Sequence, residues 1–274
     1  MRHLHTTPFE MCEIKFHVKV PMDTWRQWIR HRTANVNEYS TRYSIAIDDA
    51  DVTLRDQWRL QSPRNKQGSQ GFLDSETGAD LSKKEADLLG MARTVYEERL
   101  LKGVAREQAR KDLPLSAYTE AYWKIDLWNL FHFLELRMSE NAQAEIRQYA
   151  TVIGQYFVAT WVPLAWEAFL DYRLNAVHLS ALETQLMRAV IEGDESKLRK
   201  LFESLHWLDW DAKKNKLKAN RERDEFLAKV KRQFAYSIPL VEGMYGAGRE
   251  QDDRKIDRLE KQDLLSARGL DFSL

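Results

Sequence analysis

The chain has 274 residues, 43% hydrophobic and 31% charged, with Gly 11 and Pro 6, which excludes a collagen-like repeat and is too apolar for intrinsic disorder. Lys+Arg 42 balance Asp+Glu 42, so no whole-molecule field steers a polyanion, and any anion site has to be local. A single cysteine, Cys12, rules out an intrachain disulfide and a multi-cysteine zinc site; no apolar run approaches the roughly 18 residues of a membrane span, and residues 1–10 hold no apolar signal core. The expectation is a cytoplasmic protein in a reducing compartment, with no membrane partner.

Residues 13–20 alternate strictly, with Ile14, Phe16, Val18 and Val20 on one face and Glu13, Lys15, His17 and Lys19 on the other, the period-2 signal of a half-buried strand. Cys12 is in phase with the apolar set and is expected to point inward and be inert. Pro21 stops the strand. Asp23 is placed to cap a helix with Trp25, Trp28 and Ile29 as its apolar stripe, and Gln27 and His31 share another face. From 32 to 44 the periodicity vanishes, which predicts a loop, and 44–47 predicts a short strand.

Residues 48–78, with Ser-Pro-Arg-Asn-Lys-Gln-Gly at 62–68, read as a long excursion. Ser82 and Glu85 form a capping box for a helix running to Gly103, with Leu88, Ala92, Val95, Tyr96 and Leu100 inward. A short helix over 104–111 and a strand over 121–125 follow, then Asp126 as the cap of a helix over 127–137. A long helix is predicted over 142–169, with Ile146, Tyr149, Ala150, Ile153 and Phe157 as its stripe. The fold class is α+β, a mixed sheet packed with long helices and a helix-rich C-terminal half. Residues 1–183 are expected to form one domain and 184–274 a charged helical extension. Its basic segment at 211–232 also holds Asp211, Glu222, Asp224 and Glu225, which suits a solvated helix better than a nucleic-acid surface, so no nucleic-acid partner is expected.

The chemistry concentrates early. Arg30-His31-Arg32 opens a polar segment containing Asn35, Asn37, Glu38, Tyr39, Ser40, Thr41, Arg42 and Tyr43. Such a density of guanidinium forks suits an anionic, oxygen-rich ligand, most simply a phosphate; the competing reading is a solvated loop with its own ion pairs. The segment resembles the signature of the flavin-dependent thymidylate synthases, RHR followed seven residues later by Ser. Of the longer pattern RHRxxSxNExSxRY, it matches Arg30, His31, Arg32, Asn37, Glu38, Ser40, Arg42 and Tyr43. His5-Thr6-Thr7-Pro8-Phe9-Glu10 is similar to the family's H-x-T-P-F-E, Arg26-Gln27-Trp28 to its RQW, residues 103–110 to its G-V-x-R-E-x-A-R, and Asn141-Ala142-Gln143 to its HAQ.

The resemblance implies reductive methylation of dUMP at uracil C5 to give dTMP. Methylenetetrahydrofolate is the carbon donor and NADPH re-reduces a bound FAD, in a homotetramer whose sites are shared between subunits. By resemblance Arg137 is the catalytic residue, stabilising charge on the uracil; taken alone, it would read as a cation complementing a helix C-terminus. The other implied substrate contacts are Gln27, Arg30, Glu38, Tyr39, Ser40, Thr41, Arg42 and Arg110. The implied FAD-side residues are His5, Thr7, Glu10, Arg30, His31, Arg32, Asp126, Leu127, Trp128, His132 and Asn141. No metal site is expected. The chain departs from the family where Asn35 replaces a Ser and Asn141 a flavin-contacting His, and it begins just upstream of the H-x-T-P-F-E stretch, so a preceding strand–helix segment is expected to be missing. The alternative reading is a catalytically impaired flavin- or nucleotide-binding relative.

Overall fold

Two nine-residue strands carry the core of the computed structural model, which describes residues 1–43, 50–62, 68–213, 215–234, 237–238 and 240. Strand β1 (Glu13–Pro21) pairs antiparallel with β5 (Tyr118–Asp126) over their whole length, Phe16 opposite Trp123 and Val18 opposite Ala121. Equal alternation on both strands puts Phe16, Val18 and Val20 beside Ala121, Trp123 and Ile125 on one buried face. Helix α1 (Thr7–Glu10) precedes β1, and helix α2 (Met22–Trp28) follows it. Trp28 from α2 and Phe133 from α5 (Leu127–Arg137) close on Trp123 with ring centroids 5.2 and 5.1 Å away. Asp126 caps α5 as expected, its Oδ1 accepting from the Asn129 amide at 2.9 Å.

Several elements differ from expectation, each for a physical reason. The sheet is antiparallel throughout, in the order β1-β5-β2, and so is not mixed. Its third strand, β2 (Asn35–Glu38), lies inside the segment expected to be a loop. All four residues are exposed, so backbone pairing to the free edge of β5 makes the strand and no buried alternation marks it. The strand expected over 44–47 lies outside the described residues. Pro21, and not Asp23, is the N-cap of α2; Asp23 instead accepts from the neighbouring Thr24 amide. Ile29 is exposed, leaving Trp25 and Trp28 to anchor this helix. Cys12 is exposed, on the turn after α1, with its thiol toward the Pro8 carbonyl.

The 48–78 excursion contains a hairpin, β3 (Arg59–Gln61) and β4 (Ser69–Phe72), and the start of α3 (Ser75–Leu101). Asp74 is the true cap of α3, accepting from Thr77. The expected capping box serves another purpose: Ser82 donates to the Thr53 carbonyl and accepts from the Trp58 indole, and Glu85 accepts from the Thr53 amide. Both thus pin the preceding loop onto the helix. Tyr96 is buried but Leu88 is exposed. Helix α4 (Arg106–Ala109) and a 3-10 turn (Arg110–Asp112) occupy the short-helix segment.

The long helix is segmented. It runs as α6 (Ala144–Val152), a π-helical turn (Ile153–Val158), α7 (Ala159–Trp161), α8 (Pro163–Phe169) and a second π turn (Leu170–Leu174). Val162, before Pro163, leaves the helical region at φ −134°, as a residue preceding proline tends to. A π turn holds an extra residue, so the buried stripe slips by one: Ile146, Ala150 and Ile153 are buried as expected, then Val158 takes the place of exposed Phe157.

Residues 1–176 form one unit and 177–274 another. In the second, α9 (Ala181–Glu192) opens on a capping box from Ser180 and Glu183. Helix α10 (Glu195–Ser204), a small hairpin of β6 (Trp210–Asp211) and β7 (Lys216–Leu217), and α11 (Arg221–Phe234) follow. The basic 211–232 segment is therefore a hairpin and a helix. It buries Leu217, Phe226 and Val230 with Trp207, and also Arg223, which donates to the Trp207 carbonyl and to Asp224. In the first unit, a Cβ at Gly154 would stand 2.8 Å from Trp166 and 3.2 Å from the Met138 sulfur. Gly154→Ala should therefore lower stability by about 1–3 kcal/mol, read as a fall in the denaturant midpoint; an unchanged midpoint would show that Trp166 moves freely.

Candidate active site

The end of α2, the segment leading into β2, and the last turn of α5 meet at one pair of side chains. The Arg137 Nε donates to His31 Nε2 at 3.0 Å, across 106 residues of sequence. His31 lies edge-on to buried Phe133, with centroids 5.0 Å apart, and His132 stands 6.0 Å away. Burial, then the charges of Arg137 and His132, lower the His31 pKa to about 4. It is therefore a neutral imidazole at pH 7, accepting at Nε2 and carrying its proton on Nδ1. Burial and the nearby Arg30 also lower the Arg137 pKa from its ordinary value, yet a guanidinium in protein stays charged. Held through Nε alone, Arg137 has both terminal nitrogens without a partner among the described residues.

A second group surrounds the polar segment. Arg110 Nη1 donates to Thr41 Oγ1 at 2.6 Å, Arg42 stands 3.9 Å from Glu107, and Arg106 donates to the Tyr43 carbonyl. Ser40 Oγ accepts from the Arg42 amide at 3.4 Å, a local turn that fixes the segment between the two arginines. Glu38 is held by the buried Thr119 hydroxyl at 2.9 Å, and the Tyr39 amide donates to the Glu120 carbonyl. Gln27 donates to Gln143, whose own amide reaches Asp23 at 3.4 Å.

The FAD-side set is less unified. His31 and His132 come together, while Arg30 and Arg32 are exposed, with no ion-pair partner among the described residues. Trp128 faces Phe9 of α1 on one side and Arg173, 4.9 Å over its ring, on the other. His5, Thr7 and Glu10 are exposed at or before α1, and Asn141 is exposed just after α5. The Leu127 side chain is buried and its amide donates to the Cys12 carbonyl. Unpaired guanidinium forks near the exposed His132 imidazole suit a flat, anionic group such as a flavin nucleotide.

Thr119, Gln143, Arg106 and Arg173 were not among the residues expected at the site. Thr119 falls just outside the strand as predicted over 121–125, and Arg106 sits one turn before Arg110 in the G-V-x-R-E-x-A-R stretch. Gln143 falls in the matched HAQ stretch, but its partner lies 116 residues away, and Arg173, 38 residues from its partner, carries no local signal.

Residues 1–164 match the model of the thymidylate synthase complementing protein family. A flavin-dependent thymidylate synthase of Wolbachia pipientis is 48% identical over 194 residues, 71% of this chain and 68% of the relative. One from Thermus thermophilus is 51% identical over 192 residues, 70% of this chain and 68% of the relative. The chain thus spans about two thirds of the length of the curated relatives it matches. A crystal structure of a UMP/dUMP methylase from Streptomyces cacaoi bound with 5-Br UMP superposes with a TM-score of 0.57 at 29% identity, covering 64% of this chain and 80% of that one.

The low pKa of His31 gives stability a specific pH dependence. With the native value near 4 and the unfolded value near 6.5, the unfolded chain binds the extra proton first, so stability falls as pH drops from about 6.5 and levels off below about 4. His31→Gln should flatten this part of the profile in thermal melts between pH 7 and pH 4; an equally steep fall would show that other groups set it.

Proposed function

The chain belongs to the flavin-dependent thymidylate synthase family, and we propose that it methylates dUMP to dTMP with carbon from methylenetetrahydrofolate and reducing equivalents from NADPH. The observation that carries this reading is the Arg137–His31 pair. Uracil C5 becomes nucleophilic as negative charge spreads over N3 and O4. A permanent cation fixed by one nitrogen, with its other two free, supplies two donors to that edge without reorganising. Neutral His31 can accept from Nε and hold the guanidinium in place; a protonated imidazole could not accept and would repel it. The single cysteine, Cys12, is exposed on a turn, and the reading gives it no role at uracil C6.

In this reading, the flavin, once bound and reduced by NADPH, would supply the hydride that takes the transferred carbon to a methyl group. The residues of the chain bind and orient. Arg110, Arg42 and Ser40 hold the nucleotide phosphate, with Thr41 bound to Arg110; Glu38 and Tyr39, fixed by Thr119 and the Glu120 carbonyl, border the sugar. Arg30, Arg32, His31, His132, Trp128, Asp126, Thr7, His5, Glu10 and Asn141 face the flavin and folate, with Leu127 contributing packing. Many of these residues are exposed in the single chain, which supports sites completed by other subunits of a homotetramer. We assign catalysis to 1–183, a charged helical extension to 184–274, and a cytoplasmic location, without nucleic-acid or membrane partners.

Purified protein should show flavin absorbance and form dTMP from dUMP, methylenetetrahydrofolate and NADPH. Flavin without turnover would instead assign the chain to an impaired relative, a reading that Asn35 and Asn141 would then explain. Arg137→Ala should keep its flavin and lose about 10²–10³ in rate, the usual effect of removing one preorganised donor. An unchanged rate at saturating dUMP would remove Arg137 from the catalytic role.

A further inference from the structure

Asp23 and Gln27 lie four residues apart on α2, so they share a face, and Gln143, the N-cap residue of α6, reaches both. Gln27 Nε2 donates to Gln143 Oε1, and Gln143 Nε2 lies 3.4 Å from Asp23 Oδ2. Asp23 is itself held, its other oxygen accepting from the Thr24 amide at 2.6 Å. Nearby Glu145 is held separately, its Oε1 accepting from Arg59 at 2.5 Å.

A carboxylate only accepts. Facing Asp23, Gln143 has to turn its NH2 group toward that carboxylate, which leaves its carbonyl oxygen toward Gln27. Gln27 then has to turn its own NH2 inward, and its carbonyl oxygen is the atom left for a ligand. We propose that Asp23 and Gln143 are positioning residues that fix the amide of Gln27 with its oxygen toward the bound nucleotide. At this point the site accepts a hydrogen bond from a hydroxyl or N–H group and does not donate one to a phosphate oxygen. The inference rests on the reading of the site as one for dUMP.

The test moves the carboxylate along the relay while keeping the formal charge. Gln27→Glu alone sets an oxygen against the Gln143 carbonyl, which Asp23 prevents from turning, and should weaken dUMP binding about tenfold or more. Asp23→Asn alone lets the amides turn either way and should change binding by about threefold at most. In the double variant, the amide introduced by Asp23→Asn can donate to Gln143, and Gln143 can donate to the carboxylate introduced by Gln27→Glu, while Glu145 keeps Arg59. The second oxygen of the new carboxylate offers the ligand the same acceptor. Affinity for dUMP, measured by calorimetry on the flavin-loaded protein, should return to within about threefold of wild type. In steady state the change should fall on KM and leave kcat unmoved.

A double variant as weak as Gln27→Glu alone would overturn the proposal. If Gln27→Glu does not fold, recovery of folding in the double variant is the same rescue, and its absence the same refutation. Should the wild-type protein bind no dUMP, the substrate reading fails by itself. The relay is then read from Tm: Gln27→Glu lowers it, and the added Asp23→Asn either restores it or refutes the relay.

Discussion

Everything at the site depends on the burial of Trp123. Its indole, fully enclosed at 0% exposure, is the point where β5, the end of α2 through Trp28, and α5 through Phe133 are forced together. Trp28 and Phe133 also touch each other, 5.1 Å between centroids, so the three rings form a closed triangle and none can shift alone. His31 leaves α2 three residues after Trp28, and Arg137 leaves α5 four residues after Phe133. A rigid aromatic wedge therefore sets the distance between two polar groups that have no other reason to meet. A core contact of this kind is worth more to function than its buried area suggests, because it fixes a hydrogen bond that catalysis would need to a few tenths of an ångström.

The electrostatic pattern follows from the same geometry. The chain as a whole is neutral, yet Arg30, Arg32 and the free fork of Arg137 stand without carboxylates close enough to pair among the described residues. The acidic groups of the site are held by other partners, Glu107 by Arg42 and Glu38 by Thr119. Asp23 and Glu145 lie on the α2–α6 side, with Asp51, whose pKa is raised first by burial and then by Glu145, Asp23 and Glu85. Such separation of sign within a balanced total leaves a local positive field that only an anionic ligand neutralises. Burial first, and then the charge of Arg137, keep the imidazole beside it neutral, since a second cation there would have no counter-charge.

What the sequence made legible was whatever leaves a local trace. Strict alternation located β1, the segment 121–125 marked the middle of β5, and Asp126 marked the cap of α5, because burial on one face and a capping oxygen are both written in consecutive residues. Strand β2 left no trace, since a strand with four exposed residues is held by its neighbour's backbone alone. Cys12 shared the phase of the strand but preceded its first paired residue, and phase means nothing outside the pleat. The motif named the arginines and His31, but the bond from Arg137 to His31 was not readable, because it depends on where two helices end after packing. Gln143, in the matched HAQ stretch, had no visible role for the same reason.

The two π turns bear on which changes of length this region accepts. Each stores one residue more than an α-helix would place in the same rise, so Ile153–Val158 and Leu170–Leu174 are the points where a single deletion closes the helix onto regular geometry without breaking it. Such a deletion would return the turn to about 3.6 residues per turn and leave the helix beyond it facing as it does now, so Val158 would stay on the buried stripe with Ile146, Ala150 and Ile153. The extra residue is thus a phase adjuster: it shifts the sequence by one position against an apolar stripe that stays continuous in space, which an uninterrupted helix of the same sequence could not do.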